Sequence, residues 1–350
     1  MPRDTMDVYA LDEGFNLITM AIPYDNLQWN RRYYEAGDFV MQIPLEVYDP
    51  AWKYIGTKDR PELGMVNKAQ KSDYGLMTVS GFFCERMLDD KTCYPRYIGD
   101  APNTETAVRN IFERFKDDLP ISLAPANSPL LGDRTQSDFS DDQLGDKLYR
   151  ILESRECTYS VVYDFEANRL SLKVWKGKDR TQSQSANPYQ TFSWEFGNVT
   201  ADRTDFDDSA YKNYAIIPVN ADDNGNEQQT YYLDWSNGGY KKEIVFDMRI
   251  SRPEEGQTMA DFKNAILQEA AESLLPYAKI ENIEVDVVES GYMEDFDIGD
   301  KCDVILTDVS VEMEARIVEI NEVFKEGGHT VSVGLGNKRI TNIRRAVNSI

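Results

Sequence analysis

The chain has 350 residues, of which 41% are hydrophobic and 11% aromatic, so it can bury the cores of two or three domains. A mean hydropathy of −0.54, and the lack of any apolar run near the ~18 residues of a membrane span, exclude an integral membrane protein. The formal net charge of −23 opposes binding to nucleic-acid phosphates.

The N-terminus and the cysteines indicate where the chain is made. Asp4 and Asp7 interrupt the region where a signal peptide needs an apolar core, so we expect no secretory export. The cysteines lack CxxC spacing and the chain has one histidine, which favours neither a zinc site nor a disulfide framework. Synthesis in a reducing cytosol fits best. The four cysteines are Cys84, Cys93, Cys157 and Cys302.

The first hundred residues read as β hairpins. In each hairpin, two segments of alternating apolar and polar residues flank a polar or glycine-containing turn. The hairpins cover residues 7–22, 27–44 and 65–83, and the second turns at Ala36-Gly37-Asp38. We therefore predict an N-terminal β module over residues 1–100.

The next ninety residues predict an α/β insert, residues 101–190. Apolar residues at helical spacing indicate a helix over 104–119, and the capping box Ser140-Asp141-Asp142-Gln143 indicates the start of a second helix. A hairpin over 158–175 completes the unit. The stretch 176–188 is almost free of apolar residues and predicts an exposed loop or flexible arm.

Strands return over residues 191–256, and the part from 257 to 350 opens with a helix over 259–275. Thr258 is the predicted cap of that helix. A helix of this length is marginal alone, so we expect its apolar stripe to pack against a sheet that includes the strand 280–288. The stripe consists of Phe262, Ile266, Ala270 and Leu274, and the opposite faces, expected to tolerate alanine, carry Lys263 and Glu272.

The segment 292–337 alternates with the period of strands and predicts a small antiparallel barrel or sheet. Residues 281–322 contain fourteen Asp or Glu and two Lys or Arg, a net charge of −12. Gly299-Asp300 and Gly327-Gly328 predict turns. We expect the bases after this module to pair with carboxylates of a neighbour rather than with nucleic acid. These bases are Lys338, Arg339, Arg344 and Arg345.

Three features look like sites of chemistry, and each has a simpler interpretation. Residues 220–225 begin like a calcium loop, but Tyr231 occupies the position of the bidentate Glu, and a turn between strands explains the same residues. His329 follows two glycines and is interpreted as a turn residue. Four nearby aspartates could hold a cation, although solvated surface acids are favoured. They are Asp295, Asp297, Asp300 and Asp303.

Aromatic residues cluster around Asn237-Gly238-Gly239. They could form a platform for sugars, but at strand spacing cross-strand packing pairs are favoured. The sequence contains no GxSxG, no HExxH and no Gly-rich phosphate loop, so we predict no catalytic residue, no cofactor and no metal ligand. The aromatic residues are Tyr231, Tyr232, Trp235 and Tyr240.

Several short motifs, in a consistent order along the chain, resemble one known family. The N-terminal motif is a Trp, a basic-aromatic run, a "GDF" turn and a strand that ends in proline. A "KN" pair precedes a later β run, and three motifs lie in the closing module. Together they resemble the siphovirus tail-hub family, which includes ReqiPepy6 Gp37-like proteins and is related to the baseplate hubs and tail-associated proteins of long-tailed phages. The motifs are Trp29, Arg31-Arg32-Tyr33-Tyr34, Gly37-Asp38-Phe39, Pro44, Lys212-Asn213, 297–304, 314–320 and 330–336.

The resemblance implies a fold that is α+β, β-rich and phage baseplate-hub-like. Two small β-barrel-like modules would flank an α/β middle portion. The modules would lie side by side, so that a homotrimer makes a ring of six similar barrels and matches a three-fold tip to a six-fold tail tube.

The resemblance also implies a structural role at the virion tail tip. The protein would be the baseplate hub of a phage or prophage, made in the bacterial host cytoplasm, which joins the tail tube to host-contacting parts and closes the DNA channel. Its expected partners are two further copies of itself, the distal tail protein ring, the tape-measure protein and a tail fibre or spike. DNA would be met only in passage, and no membrane insertion is expected.

Two alternatives remain open. In some relatives a peptidoglycan-cleaving domain follows the hub module, which would make this protein a tail-associated lysin. Thirteen residues follow Asn337, so we expect no such domain here. The other alternative is a receptor protein that binds cell-wall glycans.

Overall fold

The structure, a computed structural model, describes residues 5–72, 75–220, 228–249, 251, 253, 257–288, 291–325 and 328–336. Within them the chain forms 22 β-strands and three α-helices. The fold is α+β and β-rich, with an N-terminal and a C-terminal β part on either side of an α/β middle portion, as predicted.

The N-terminal part consists of short strands, and the predicted hairpins are present. In the second hairpin Trp29 pairs with Phe39 across the strands. Position 37, just before the second of these strands, requires glycine. A Cβ there would lie 2.3 Å from the carbonyl oxygen of Asn30 and 2.6 Å from the Phe83 ring. The strands are β1 (Tyr9–Leu11), β2 (Leu17–Thr19), β3 (Asn26–Arg32), β4 (Asp38–Pro44), β5 (Tyr54–Gly56), β6 (Leu63–Met65), β7 (Lys68–Lys71), β8 (Leu76–Phe82) and β9 (Tyr97–Ala101).

The middle portion packs two helices on a three-stranded sheet, β10-β13-β12. The predicted capping box of the second helix is wrong, because Gln143 is the N-cap and its side chain makes no cap hydrogen bond. Residues 141–144 are instead held by backbone hydrogen bonds to residues 91–93. The elements are α1 (Thr104–Phe115), β10 (Ile121–Leu123), β11 (Thr135–Phe139), α2 (Leu144–Glu153), β12 (Thr158–Asp164) and β13 (Arg169–Trp175).

The remaining elements form the returning strands, the third helix and the closing module. The side chain of Thr258 accepts a hydrogen bond from the amide of Asp261, so the predicted cap is confirmed. The elements are β14 (Thr191–Ser193), β15 (Val199–Asp207), β16 (Tyr214–Asn220), β17 (Gln228–Asp234), β18 (Glu243–Val245), α3 (Met259–Leu274), β19 (Ile280–Val287), β20 (Lys301–Leu306), β21 (Val311–Lys325) and β22 (Gly328–Gly336).

One sheet runs through both β parts. Its main path is β15-β19-β22-β21-β3-β4-β8-β7, and β20 and β14 join it at the first half of β21. Strand β21 from the end of the chain pairs with β3 from its beginning, from Glu319 opposite Arg32 to Lys325 opposite Asn26. The two β parts are therefore continuous with each other through backbone hydrogen bonds.

The stripe of α3 is buried as predicted, but its predicted partner strand is wrong. Phe262, Ile266 and Ala270 pack in one core with Ala215, Ile217 and Val219 of β16. The strand expected beneath the helix is β19, which belongs to the large sheet and to a different core. The apolar period of a helix identifies its buried face, whereas the choice of sheet depends on the rest of the fold.

The prediction that Glu272 lies on an open face of α3 is wrong. Its side chain is 2% exposed and lies 2.8 Å from Nζ of Lys147, a buried lysine of α2. Glu269 is the second partner of Lys147, at 2.6 Å. The sequence placed Glu272 on a polar face, and Lys147 of α2 is buried against that face.

Glu272→Ala is therefore expected to lower the free energy of unfolding by about 1–3 kcal/mol, because it removes one of two acceptors from a buried cation. Urea melts would measure this loss. Lys263→Ala, on an exposed position of the same helix, serves as the control and should change stability by no more than about 0.5 kcal/mol. Equal effects of the two substitutions would contradict the buried pair.

The prediction of an exposed loop over 176–188 is wrong for Arg180 and Thr181, which are buried. Arg180 is buried and its Nε lies 2.5 Å from Oδ2 of Asp300, while the Lys178 amide donates to Oδ1 of the same carboxylate. Gly177 lies so close to the Gly299 carbonyl oxygen that a Cβ would approach it to 1.8 Å. Arg180 and the backbone of Lys178 are thus bound to the closing module instead of to water.

Candidate functional site

The junction of β3 and β21 is where the two β parts meet, and charged side chains are buried there. Strand alternation places Leu27, Trp29 and Arg31 on one face of β3, opposite Phe324, Glu322 and Ile320 of β21. Most of these positions carry apolar residues that belong to the flanking cores. Arg31 and Glu322 are therefore buried at inward positions of otherwise apolar rows.

Arg31 binds three groups. Its side chain is 6% exposed, with Nε 2.8 Å from Oε1 of Glu62 and Nη1 2.5 Å from Oδ1 of Asp297. Nη1 also donates to the hydroxyl of Tyr292 at 3.1 Å. Arg31 of the N-terminal part thus joins the loop before β6, which carries Glu62, to the closing module, which carries Asp297 and Tyr292.

Glu322 forms the second half of this buried group. Arg60 donates to both of its oxygens, Nε to Oε1 at 2.9 Å and Nη2 to Oε2 at 2.5 Å, and the Tyr292 hydroxyl donates to Oε1 at 2.8 Å. Burial favours the neutral acid, but hydrogen bonds from His329 and Arg60 outweigh it and lower the pKa of Glu322 to about 2. Tyr292 contacts both Arg31 and Glu322, so it links the two ion pairs. We call these residues the junction cluster: Arg31, Arg60, Glu62, Tyr292, Asp297, Glu322 and His329.

Glu85 connects the N-terminal β part to the middle portion beside this cluster. It is buried, and its Oε1 accepts a hydrogen bond from the amide of Val161 in β12 at 2.9 Å. Burial raises the pKa of Glu85 to about 7, although the backbone hydrogen bonds and Arg31 act against the shift.

Stability is expected to depend on pH through Glu85. Its folded-state pKa of about 7 exceeds the ordinary value of 4.5, so its contribution is fully present below pH 4.5 and is lost as the pH rises through 7. Glu85→Gln keeps an acceptor for the Val161 amide but cannot ionise. Relative to the wild type, this variant should gain about 3 kcal/mol of stability between pH 4.5 and pH 8.

Urea melts of both proteins at the two pH values would measure the gain. Glu195→Gln, at an exposed position, is the matched control and should show the same difference from the wild type at both pH values. An equally flat difference for Glu85→Gln would mean that the carboxylate is not buried as the structure places it.

Sequence reasoning identified the arginines of β3 only as parts of a family motif, and it missed Arg60, Glu62 and Glu85. A signal was present for two members. Arg31 and Glu322 interrupt apolar rows of period two, in Leu27-Trp29-Arg31 and in Ile320-Glu322-Phe324, and a charge at an inward position needs a buried partner. Arg60 and Glu62 precede β6 outside any periodic segment, so no such signal marks them.

The four aspartates expected to be solvated surface acids are not brought together. Asp300 is buried against Arg180, Asp297 binds Arg31, and Asp303 accepts from the amide of Gln182 at 2.9 Å. The favoured interpretation is therefore wrong for Asp300, which is buried, whereas Asp297 pairs with Arg31 and keeps a side chain that is 38% exposed. No group of three or more acidic, histidine or cysteine side chains in the described residues could hold a metal ion.

The interpretation of His329 as a turn residue is wrong. Strand β22 begins at Gly328, so His329 lies within it, and its ring stacks on Phe324 with centroids 4.0 Å apart. Its Nε2 is 3.3 Å from Oε2 of Glu322, and the side chain is 4% exposed. The preceding glycines indicated a turn, but the strand starts at Gly328, two residues before the predicted start at Thr330.

The clustered aromatic residues lie in different places: Tyr231 and Tyr232 are successive residues of β17, and Trp235 and Tyr240 follow that strand. Tyr231 is buried in the core under α3, whereas Tyr232, Trp235 and Tyr240 are 56%, 43% and 84% exposed. Tyr232 lies near Tyr214 of the neighbouring strand, with ring centroids 6.0 Å apart. A platform of all four rings is therefore not formed.

The remaining sequence predictions concern cysteines, the calcium-like loop and the basic tail. All four cysteines are free and buried, and burial raises the pKa of each thiol, so none has the environment of a reactive cysteine. Residues 221–227 and the bases from Lys338 to Arg345 lie outside the described residues. Among the helices of the described part, none is long and apolar enough to cross a membrane.

Solved structures with a similar fold are tail proteins. The chain is similar to the 43 kDa tail protein of prophage MuSo2 from Shewanella oneidensis, with 12% identity, a TM-score of 0.59, and 94% of this chain and 97% of that one covered. It is also similar to a tail protein from Neisseria meningitidis MC58, at 13% identity and a TM-score of 0.58, with 95% of both chains covered. The prophage tail protein gp18 from Listeria monocytogenes EGD-e has 14% identity and a TM-score of 0.58, with 98% of this chain and 99% of that one covered.

Sequence comparison gives the family. No curated protein matches the chain. The profile of the siphovirus ReqiPepy6 Gp37-like proteins matches residues 112–337, which is more than half of the sequence and includes most of the middle portion, α3 and the closing β module. This match confirms the resemblance drawn from the short motifs. The chain belongs to the siphovirus ReqiPepy6 Gp37-like protein family.

Proposed function

We propose that this protein is the baseplate hub at the tip of a phage or prophage tail. It joins the tail tube to the host-contacting parts and closes the channel through which DNA leaves. Membership of a phage tail family and the shared fold of prophage tail proteins support the tail assignment. The position at the tip is part of the proposal.

The observation that carries the proposal is the arrangement of the large sheet. The N-terminal part supplies β3-β4-β8-β7 and the C-terminal part supplies β15-β19-β22-β21, four strands from each, joined side by side at β3 and β21. One chain therefore presents two four-stranded units. Three copies in a ring would present six such units, which matches a three-fold tip to a six-fold tube.

The junction cluster supports the same arrangement. A subunit that holds two β units in fixed register needs a rigid connection between them, and seven backbone pairs plus two buried ion-pair groups provide one. Arg60, Tyr292 and Glu322 tie the loop before β6 and the segment before β20 to the shared strands. The two units would therefore enter the ring as one body.

Light scattering tests the oligomeric state. The proposal expects a mass three times that of the 40.1 kDa chain, retained on dilution into the low micromolar range. A stable monomer at high concentration would count against a hub, because a ring needs extensive contact between subunits.

Immunogold labelling tests the location. Antibodies to this chain should bind at the end of the tail distal to the capsid, in intact particles or in tails assembled from the phage tail genes. Label distributed along the tube would contradict the hub assignment. Co-purification of the trimer with the distal tail protein, the tape-measure protein or a fibre would then identify its neighbours.

The net charge of −23 suits a channel for DNA, because an acidic wall repels the phosphate backbone and prevents it from binding. In the proposed ring the acidic side chains line the passage. A map of the trimer whose passage is lined by lysine and arginine would contradict this part of the proposal.

A second candidate function is binding of cell-wall glycans, favoured by the exposed rings of Trp235 and Tyr240. It predicts that the isolated trimer sediments with host cell walls and that the double variant Trp235→Ala, Tyr240→Ala does not. A lysin role has no such observation in its favour, and we propose none. A lytic band of this protein in a cell-wall zymogram would overturn that choice.

A further inference from the structure

We propose that the C-terminal segment of this chain, residues 337–350, docks on the open face of the chain's own small sheet, β17-β16-β18. The inference assigns a binding surface and names its occupant, and it does not depend on the hub function. The small sheet then lies between two covering layers, α3 on one side and the C-terminal segment on the other.

The small sheet has one covered face and one open face. Helix α3 packs on the face that carries Ile217. Strand alternation turns Tyr214, Ile216 and Pro218 of β16 to the opposite face, together with the residues of β17 and β18 that lie beside them. None of the side chains that the three strands place on this open face is buried.

The open face has an apolar centre. Ile216 of the middle strand lies opposite Tyr232 of β17 on one side and Val245 of β18 on the other. Tyr232 and Val245 are 56% and 59% exposed. Tyr214 and Pro218 extend the apolar surface along the middle strand. A contiguous exposed apolar patch of this kind is typical of a surface that a partner covers.

The sequence after Gly336 supplies a segment of matching pattern. Its large apolar residues recur at intervals of three or four, and this spacing predicts an amphipathic helix. A helix of this length is marginal alone, so its apolar stripe needs a surface to pack against. The apolar residues are Ile340, Ile343, Val347 and Ile350, and the bases are Lys338, Arg339, Arg344 and Arg345. All of them lie outside the described residues.

The segment starts close to the small sheet. A Cβ on Gly336 would lie 2.7 Å from the carbonyl oxygen of Glu281, so the end of β22 lies beside the start of β19. Four residues before Glu281, the carbonyl of Tyr277 accepts a hydrogen bond from the amide of Lys212, two residues before β16 begins at Tyr214. The six residue steps on this path span at most about 22 Å.

The segment is long enough to cover that distance. Residues 337–339 span about 10 Å when extended, and a helix over residues 340–350 adds about 16 Å. The apolar stripe can therefore reach the open face of the sheet in its own chain without help from a second copy.

The charges of the face and of the segment are complementary. The strands of the small sheet carry two charged residues, Asp234 and Glu243, and both lie opposite Tyr214 on the open face. Lys241 pairs with Asp234 at 3.1 Å, whereas Glu243 has no ion pair among the described residues. The C-terminal segment contains four bases and no acid, so one of its bases can bind Glu243 at the edge of the apolar centre.

Thiol labelling of the full chain tests the coverage, because all four native cysteines are buried. The reporter is Val245→Cys, which the docked segment covers. Maleimide should react with it about tenfold more slowly than in a chain that also carries Ile343→Glu and Val347→Glu, since the docked state leaves the thiol open for about 10% of the time or less. Equal rates in the two chains would overturn the inference.

Two controls are matched to this measurement. Val309→Cys, at an exposed position of the turn before β21, should react at the same rate with either form of the segment. Thr341→Glu with Ser349→Glu adds the same charge on the polar side of the predicted helix and should leave the slow rate at Val245→Cys unchanged. Unchanged circular dichroism would establish that each variant is folded.

Cross-linking tests the contact directly. Val245→Cys and Ile343→Cys in one chain should form a disulfide within that chain under mild oxidation, at a rate independent of protein concentration. Val309→Cys with Ile343→Cys is the control for random collision, because Val309 precedes a strand whose Arg316 lies opposite Gly336. If both pairs were to cross-link equally fast, the segment would have no preferred surface and the inference would fail.

Co-expression separates docking within a chain from docking on a neighbour. A chain with Val245→Cys alone, produced together with a chain that has Ile343→Cys alone, should give no disulfide-linked dimer. A linked dimer here, without a cross-link inside the double variant, would place the segment on a neighbouring copy and overturn the assignment to its own chain. The hub proposal is judged separately by the oligomeric state, because the labelling result is expected to be the same in a monomer and in a trimer.

Discussion

Replacing Arg31 with alanine is expected to lower the free energy of unfolding by about 3–5 kcal/mol, because the change leaves a buried carboxylate without its cation. The Arg31 side chain is 6% exposed and that of its partner Glu62 is 10% exposed. Water cannot replace the guanidinium at that depth without opening the junction of β3 and β21. Urea melts, followed by fluorescence of Trp29 and the other tryptophans, would measure the loss.

The matched control for this prediction is Arg249→Ala. Arg249 pairs with Asp247, and the two side chains are 53% and 50% exposed, so solvent screens the attraction. Its loss should cost no more than about 1 kcal/mol. If the two variants lost the same stability, the junction cluster would not be the buried connection between the β parts.

Replacing Phe262 with alanine is expected to cost about 3–5 kcal/mol, the usual range for removing a fully buried phenylalanine ring. Phe262 is 0% exposed and packs on Ile217 and Tyr231 in the core beneath α3. Its removal opens a cavity that the sheet β17-β16-β18 cannot easily fill. The loss should appear in urea melts as a lower midpoint at an unchanged slope.

Lys263→Ala provides the comparison on the next residue of the same helix. Lys263 is exposed and its Nζ lies 5.7 Å from the Tyr231 ring centroid, so alanine should change stability by no more than about 0.5 kcal/mol. Equal and small effects of both substitutions would mean that α3 is not docked on this sheet.

Sequence pattern alone predicted the local elements with a clear period. The hairpin of β3 and β4 follows from alternation about the turn Ala36-Gly37-Asp38, and the buried stripe of α3 follows from apolar residues at helical spacing after a threonine cap. These features depend on residues a few positions apart, so the chain determines them locally. The short motifs likewise predicted the family, and the profile match confirms it.

The tertiary structure decided which local elements meet. Nothing in the period of β3 identifies β21 as its partner, because the two strands are separated by most of the chain and many strands have the same alternation. Docking of α3 on β16 instead of β19 is a choice of the same kind. Both depend on which surfaces remain free once the other elements have packed.

Buried charge was the other property that the sequence did not determine. A pattern of apolar and polar residues assigns Glu272, Asp300 and Arg180 to the surface, since a lone charge is stable only in water. In the fold each of them meets an opposite charge from a distant segment, and the pair can be buried where neither member could be alone. The sequence determined which faces are apolar, and only the tertiary structure decided which polar faces would find partners and be covered.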